Sequence, residues 1–186
     1  MGLVEFLEEK RSIIVKQWFH LIANTYPAQT AEMLKKETNQ FTNPVGYALR
    51  QGTEGLYGEL LRGVEPDGAT KLLDRIIRIR AIQDFSPAQG VGFVFLLKRI
   101  IREEARKEDW KDRISTEDLL ELESHIDNMA LLAFNVYVEC REKLYAVRLN
   151  EVKNRTFRLL QMAGLTAEME EIDKIGLGPE AEAPKD

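Results

Sequence analysis

The stretch KLLDRIIRIRAIQDFSPAQGVGFVFLLKRIIREE, from Lys71 to Glu104, decides the fold class of this chain. Its first part carries apolar side chains at the spacing of an amphipathic helix, at Leu72, Ile76, Ile79 and Ile82. A second helix begins at Ser86, because serine can cap it, Pro87 suits its first turn and Gln89 can complete a capping box. The run from Val91 to Ile101 is apolar on nearly every side, which predicts a helix inside a core.

Helical signals also lie on the N-terminal side of this stretch. A first helix is predicted from Leu3 to Tyr26, where Pro27 ends it. Asn43 followed by Pro44 marks another start, since asparagine caps helices and proline suits their first position. We therefore predict an all-α protein, a helical bundle with a long C-terminal helix, for which a globin-like arrangement is one form.

The helix that follows Pro44 is rich in glycine, at positions 46, 52, 55 and 58. Each interior glycine weakens a helix by about 1 kcal/mol relative to alanine, so each needs a packing or functional reason. Two interpretations remain open: a neighbouring helix packs closely against the glycines, or a ligand lies against the bare backbone. We favour close packing.

The overall composition excludes several classes of protein. The 186 residues carry a net charge of −5, which argues against a nucleic-acid partner because phosphates require a basic face. A single cysteine, Cys140, excludes an internal disulfide. The most apolar run, Gly90 to Leu97, is too short to cross a bilayer, and the acidic N-terminus is unlike a signal peptide. We expect a cytoplasmic protein without membrane insertion.

The last helical segment is unusually long, because no proline or glycine interrupts it from Ser115 until Gly164. We predict one domain over residues 1–163, including an exit helix at about 116–163, and a short flexible tail over 164–186. An apolar seam with three-four spacing predicts that this helix pairs with a second copy of the chain. The predicted dimer residues are Leu119, Leu122, Ile126, Met129, Val136 and Cys140. The alternative is a kinked helix that folds back on its own domain.

A search for chemical motifs finds no catalytic or metal-binding pattern, so we predict no enzyme activity and no metal site. His20 and His125 are the two histidines, and neither follows a glutamate at the spacing of a di-iron bundle. Either one alone is sufficient as an axial haem ligand, which leaves a haem-binding carrier as the alternative. A packing or surface histidine is the simpler interpretation of each.

One arginine on the helix before Ser86 is out of phase with its neighbours. Arg80 is predicted to point inward, where it would need a carboxylate or an anionic ligand. Asp84, four residues later, is the simplest partner. We therefore place the candidate ligand pocket, for a small molecule, beside Trp18, Arg80 and Phe93. The core is expected to contain the aromatic residues Trp18, Phe93, Phe95 and Phe134.

Several of these features together resemble one known family. They are Trp18, the sequence FTNPVG at 41–46, the sequence RAIQDFSP at 80–87, and the closing helix with Tyr137 and Arg141. From Leu3 to Arg158 the chain resembles the RsbRD N-terminal domain family, the sensory domain of RsbR-type stressosome co-antagonists. The resemblance implies an all-α domain related to non-haem globins, which dimerises and passes a signal along its exit helix.

In RsbR-type proteins that signal reaches a C-terminal STAS output domain. Only about thirty residues follow Arg158, too few for such a domain. The departure implies action on a separate partner protein. We therefore predict a non-enzymatic sensory or regulatory domain that forms a homodimer and contacts a signalling partner.

Overall fold

The computed structural model describes residues 2–36, 39–83, 85–107, 110 and 113–162. Within these residues the regular elements are all helices, so the all-α prediction is confirmed. They are α1 (Gly2–Ala23), α2 (Ala28–Lys36), α3 (Pro44–Leu61), α4 (Pro66–Ile82), α5 (Pro87–Val91), α6 (Leu96–Ala105) and α7 (Thr116–Met162).

The chain divides into two compact units, Met1–Cys140 and Arg141–Asp186. We call these the N-terminal and the C-terminal unit. The sequence predicted one domain over 1–163 and a tail over 164–186, and that tail lies outside the described residues. The long exit helix is present as one element, α7.

The helix starts follow local sequence. The Asn43 side chain accepts a hydrogen bond from the Gly46 amide at 2.8 Å, and Pro44 occupies the first position of α3. The Ser86 hydroxyl and the Gln89 side chain form the predicted capping box at the start of α5. Short-range signals placed both starts correctly, because caps depend only on residues within one turn.

Helices α3 and α4 pack closely at the glycines of α3. A methyl group added at Gly52 would lie 2.6 Å from Ile76 Cγ1, and one added at Gly55 would lie 2.7 Å from Leu72 Cδ2. Both distances are shorter than van der Waals contact, so at these positions the side chains of α4 already occupy the space. The close-packing interpretation of these two glycines is confirmed.

The continuous buried helix predicted from Val91 to Ile101 is wrong. Helix α5 ends at Val91, a turn follows, and α6 begins at Leu96. The Phe93 carbonyl accepts a hydrogen bond from Trp18 Nε1 at 2.7 Å, whereas in a continuous helix it would accept one from Leu97. A distant side chain thus replaces a helical hydrogen bond.

This turn also corrects the list of core aromatics. Trp18 and Phe93 are buried as predicted, but Phe95 and Phe134 are about half exposed, at 47% and 49%. Phe95 lies in the turn between α5 and α6, directly before the first residue of α6. Phe134 lies on a face of α7 that the N-terminal unit does not cover.

Candidate functional site

Arg80 lies in the last turn of α4 and is the most unusual buried side chain of the N-terminal unit. Its exposed fraction is 0%, which agrees with the predicted inward orientation. The apolar face of α4 explains the direction, because Ile76, Ile77 and Ala81 on the same side are also fully buried. Arg78, two residues earlier, points to solvent and pairs with Asp74 at 2.9 Å.

The hydrogen bonds of Arg80 account for only part of its donor capacity. Nη2 donates to Thr25 Oγ1 at 3.1 Å and to the Gln89 carbonyl at 2.8 Å. Nε and Nη1 have no hydrogen-bond partner, and neither has the buried hydroxyl of Tyr26. A guanidinium carries five N–H donors, so more than half of them are left without an acceptor.

Three aromatic rings surround the guanidinium group. Its central carbon lies 4.2 Å from the ring centroid of Phe85, 5.4 Å from that of Tyr26 and 5.7 Å from that of Phe93. We call Arg80 and these three rings the Arg80 cage. Each ring face offers a cation–π attraction of about 0.5–2 kcal/mol, but none supplies a negative charge.

The cage keeps its charge state at neutral pH. Burial lowers the pKa of Arg80, while the nearby Tyr26 acts in the opposite direction. Burial raises the pKa of Tyr26, and Arg80 opposes that shift. A guanidinium is not deprotonated in proteins, and the raised pKa keeps the Tyr26 phenol neutral, so it can donate or accept one hydrogen bond.

The predicted pocket residues Trp18, Arg80 and Phe93 do lie together. The Trp18 ring stacks on the Phe93 ring with centroids 6.2 Å apart, and Phe93 in turn faces Arg80. The predicted partner Asp84 lies outside the described residues. Within the part of the chain that the structure describes, no carboxylate is within ion-pair distance of Arg80.

The two histidines lie elsewhere. His125 lines an open cleft of about 430 Å³ formed by the start of α1, the end of α3 and the start of α7, where it is joined by Asp118 and Glu121. His20 does not line this cleft, and burial lowers its pKa, with Lys35 adding to the effect. No cluster of metal-ligating side chains is present among the described residues.

The predicted dimer residues belong to the core of the N-terminal unit. Leu119 is half-buried. The other five are buried within a single chain: Leu122, Ile126, Met129, Val136 and Cys140. Salt bridges from Lys98 and Arg102 to Glu123 hold this part of α7 against α6. The seam is therefore covered within one chain, and a contact between two copies needs another face of α7.

The exposed apolar residues that lie on such a face are not among the predicted dimer residues. Leu131 is only two residues after Met129, about 200° away around a helix. Apolar residues recur from it at every seventh position, and they are between 36% and 66% exposed. We call this set the heptad stripe: Leu131, Val138, Tyr145, Val152 and Leu159. The sequence does contain a signal for this stripe. Arginines recur at every seventh position, each three residues after a stripe residue: Arg141, Arg148 and Arg155.

The described residues define the class of this protein, an all-α fold with one long final helix. Comparison with known families gives the particular one: the model described as RsbT co-antagonist protein rsbRD N-terminal domain matches residues 13–152. The chain belongs to this family, as the resemblance predicted, and it is a sensory signalling domain of the stressosome type.

Other comparisons add limits to this assignment. No curated protein and no solved structure matches the chain. Across the described residues, none of the helices combines the length and apolar character needed to span a bilayer.

Proposed function

We propose that this domain is non-enzymatic and acts by pairing with a second copy along the heptad stripe and by contact with a separate partner protein. The heptad stripe is the observation that carries the proposal. The family description, an RsbT co-antagonist, supports a protein partner, because antagonism of this kind operates through protein contact.

The spacing of the stripe favours a second helix as its occupant. A straight α-helix drifts by about 20° per seven residues, so a strict seven-residue repeat stays on one face only when two helices supercoil. Tyr145, Val152 and Leu159 are each more than half exposed in the C-terminal unit. Large apolar side chains exposed at regular intervals are typical of an interaction surface.

The arginines three residues after stripe residues give this surface its specificity. Arg141 Nη2 donates to the Tyr145 hydroxyl at 2.9 Å, and its guanidinium lies 5.0 Å from that ring. Arg148 and Arg155 occupy equivalent heptad positions. Polar residues at core positions of a coiled coil reduce its stability but fix its register, which suits a contact that must form and separate during signalling.

Replacing Val152 with glutamate is expected to convert the dimer into a monomer. The side chain is 60% exposed, so the change should leave the fold of one chain intact, whereas the dimer would bury two carboxylates in its apolar seam. Sedimentation equilibrium of the full chain at micromolar concentration measures the result. Asn150→Glu adds the same charge on an exposed position outside the stripe and should remain dimeric.

Two results would contradict this proposal. One is a wild-type chain that sediments as a monomer, and the other is a Val152→Glu variant that remains as dimeric as Asn150→Glu.

The haem-binding alternative makes a separate prediction. A haem ligand needs a shaped apolar pocket, but the cleft beside His125 is open and contains Asp118 and Glu121. We therefore expect that adding haemin to the purified chain produces no protein-dependent Soret band. A band that is present in the wild type and lost in His125→Ala would contradict this expectation and favour the carrier function.

A further inference from the structure

We propose that the Arg80 cage binds a small monovalent oxyanion, best matched by a short-chain carboxylate such as acetate or propionate. The proposal deepens the signalling function above, because it names the chemical class of ligand that this domain would sense. Only the role of the anion as a signal rests on that proposed function. Binding of the anion is measured independently of dimerisation.

Arg80 carries a buried positive charge without a counter-charge among the described residues. Arg80 is fully enclosed, and within the described residues its side chain reaches a hydroxyl and a carbonyl but no carboxylate. Removing a guanidinium from water without a counter-charge is strongly unfavourable. Cation–π contacts with three rings offset part of this cost, but an anion in the cage would offset far more.

Several buried polar atoms converge in the Arg80 cage. Arg80 Nε, Arg80 Nη1 and the Tyr26 hydroxyl are all buried, and none makes a hydrogen bond of good geometry. Arg80 and Tyr26 nevertheless lie close enough for each to shift the pKa of the other. The two arginine nitrogens can only donate, and the phenol can donate as well. A guest that accepts several hydrogen bonds therefore satisfies this site, and an oxyanion has that property together with the required charge.

The enclosure of Arg80 and its single positive charge limit the size and charge of the guest. The Phe85 ring covers the guanidinium at 4.2 Å, and neither the cleft beside His125 nor the one between Phe19 and Arg50 includes Arg80. Because Arg80 is 0% exposed and lies outside both clefts, a guest has to be small enough to fit between the guanidinium and its rings. One arginine balances one negative charge, so a divalent anion such as sulfate would keep an unmatched charge in an apolar setting.

The three aromatic rings favour a monovalent oxyanion that also has an apolar end. Tyr26, Phe85 and Phe93 present mainly apolar surface around the charged group. The methyl or ethyl group of a short carboxylate can contact such rings, while its two oxygens face the donors. Nitrate has the same charge and similar size but no apolar end, so it should bind more weakly.

Thermal unfolding of the full chain in sodium acetate, compared with sodium chloride at equal ionic strength, tests the proposal. A ligand that binds only the folded state raises the folded-to-unfolded ratio about a hundredfold when its concentration is 100 times its Kd. We expect a midpoint that rises with acetate in the wild type and in Arg78→Met. Arg78 is the matched control, because it lies on the same helix but points to solvent. Arg80→Met should lose the acetate-specific rise.

A second measurement covers the case in which Arg80→Met does not fold. The ¹⁵N resonance of Arg80 Nε in the wild type should shift on titration with acetate, whereas that of Arg78 should not. An unchanged Arg80 resonance, or an equal acetate effect in wild type and Arg80→Met, would overturn the proposal. An Arg80-dependent response to sodium sulfate larger than that to acetate would also overturn it.

Asp84→Asn separates an external anion from a counter-ion within the chain. If acetate stabilises both the wild type and Asp84→Asn, the external site is supported. If acetate acts only on Asp84→Asn, Asp84 neutralises Arg80 in the wild type and the proposal fails. Sedimentation of the same samples reports on dimerisation, so failure of this site is distinguishable from failure of the proposed function.

Discussion

Replacing Trp18 with alanine is expected to lower the free energy of unfolding by about 3–5 kcal/mol, the range for removing a large buried aromatic side chain. Trp18 is 0% exposed, and its ring stacks on Phe93. Its Nε1 also donates to the Phe93 carbonyl at 2.7 Å, which holds the turn between α5 and α6. One substitution therefore removes core packing and the contact that shapes one wall of the Arg80 cage.

Urea denaturation followed by circular dichroism measures this loss. Trp18→Phe keeps an aromatic ring but leaves the Phe93 carbonyl without its donor, so about 1–3 kcal/mol is expected for it. Met33→Ala is a suitable control, because Met33 is 53% exposed and such substitutions change stability by about 0.5 kcal/mol or less. A Trp18→Ala variant as stable as Met33→Ala would show that the turn is held by other contacts.

The sequence predicted those parts of the fold that depend on neighbours along the chain. Asn43 with Pro44 and Ser86 with Gln89 place helix starts, because a cap is complete within one turn. The break after Val91 was missed for the opposite reason. It depends on a hydrogen bond from Trp18, a residue 75 positions away, and no local pattern contains that information.

The candidate site shows the same division. The phase of Arg80 on α4 predicted that it points inward, and it predicted the need for a negative partner. The rings of Tyr26 and Phe85 were not predicted, since they come from the segments that follow α1 and α4. Their approach to Arg80 depends on how the helices pack, which apolar periodicity does not specify.

The sequence of α7 does not specify which of its apolar faces packs against its own chain. Two faces of this helix carry apolar residues at seven-residue spacing, one through Leu122 and Met129 and the other through Val138 and Tyr145. Periodicity indicates that each face is suited to packing, but it does not say which one its own chain covers. In the structure the face through Leu122 and Met129 is buried within the chain, so the proposed dimer contact lies on the face through Val138 and Tyr145.

Gly52→Ala and Gly58→Ala are expected to change stability in opposite directions, although both lie on α3. At Gly52 the new methyl group would lie 2.6 Å from Ile76 Cγ1, and Ile76 is itself fully buried and β-branched. Overpacking of this kind costs about 1–3 kcal/mol, against a gain of about 0.5–1 kcal/mol from replacing glycine in a helix, so a net loss of stability is expected.

Gly58 supplies the matched control, because the nearest atom to its new methyl group is the Arg62 side chain at 3.6 Å. There the helical gain of about 0.5–1 kcal/mol remains, and the variant should be more stable than the wild type. Urea denaturation of both variants measures this difference in stability. If Gly52→Ala were also stabilising, α4 would not be packed against the α3 backbone there, and the space would be available to a ligand. A loss at Gly52 beside a gain at Gly58 instead assigns that space to the Ile76 side chain, as the close packing of α3 and α4 requires.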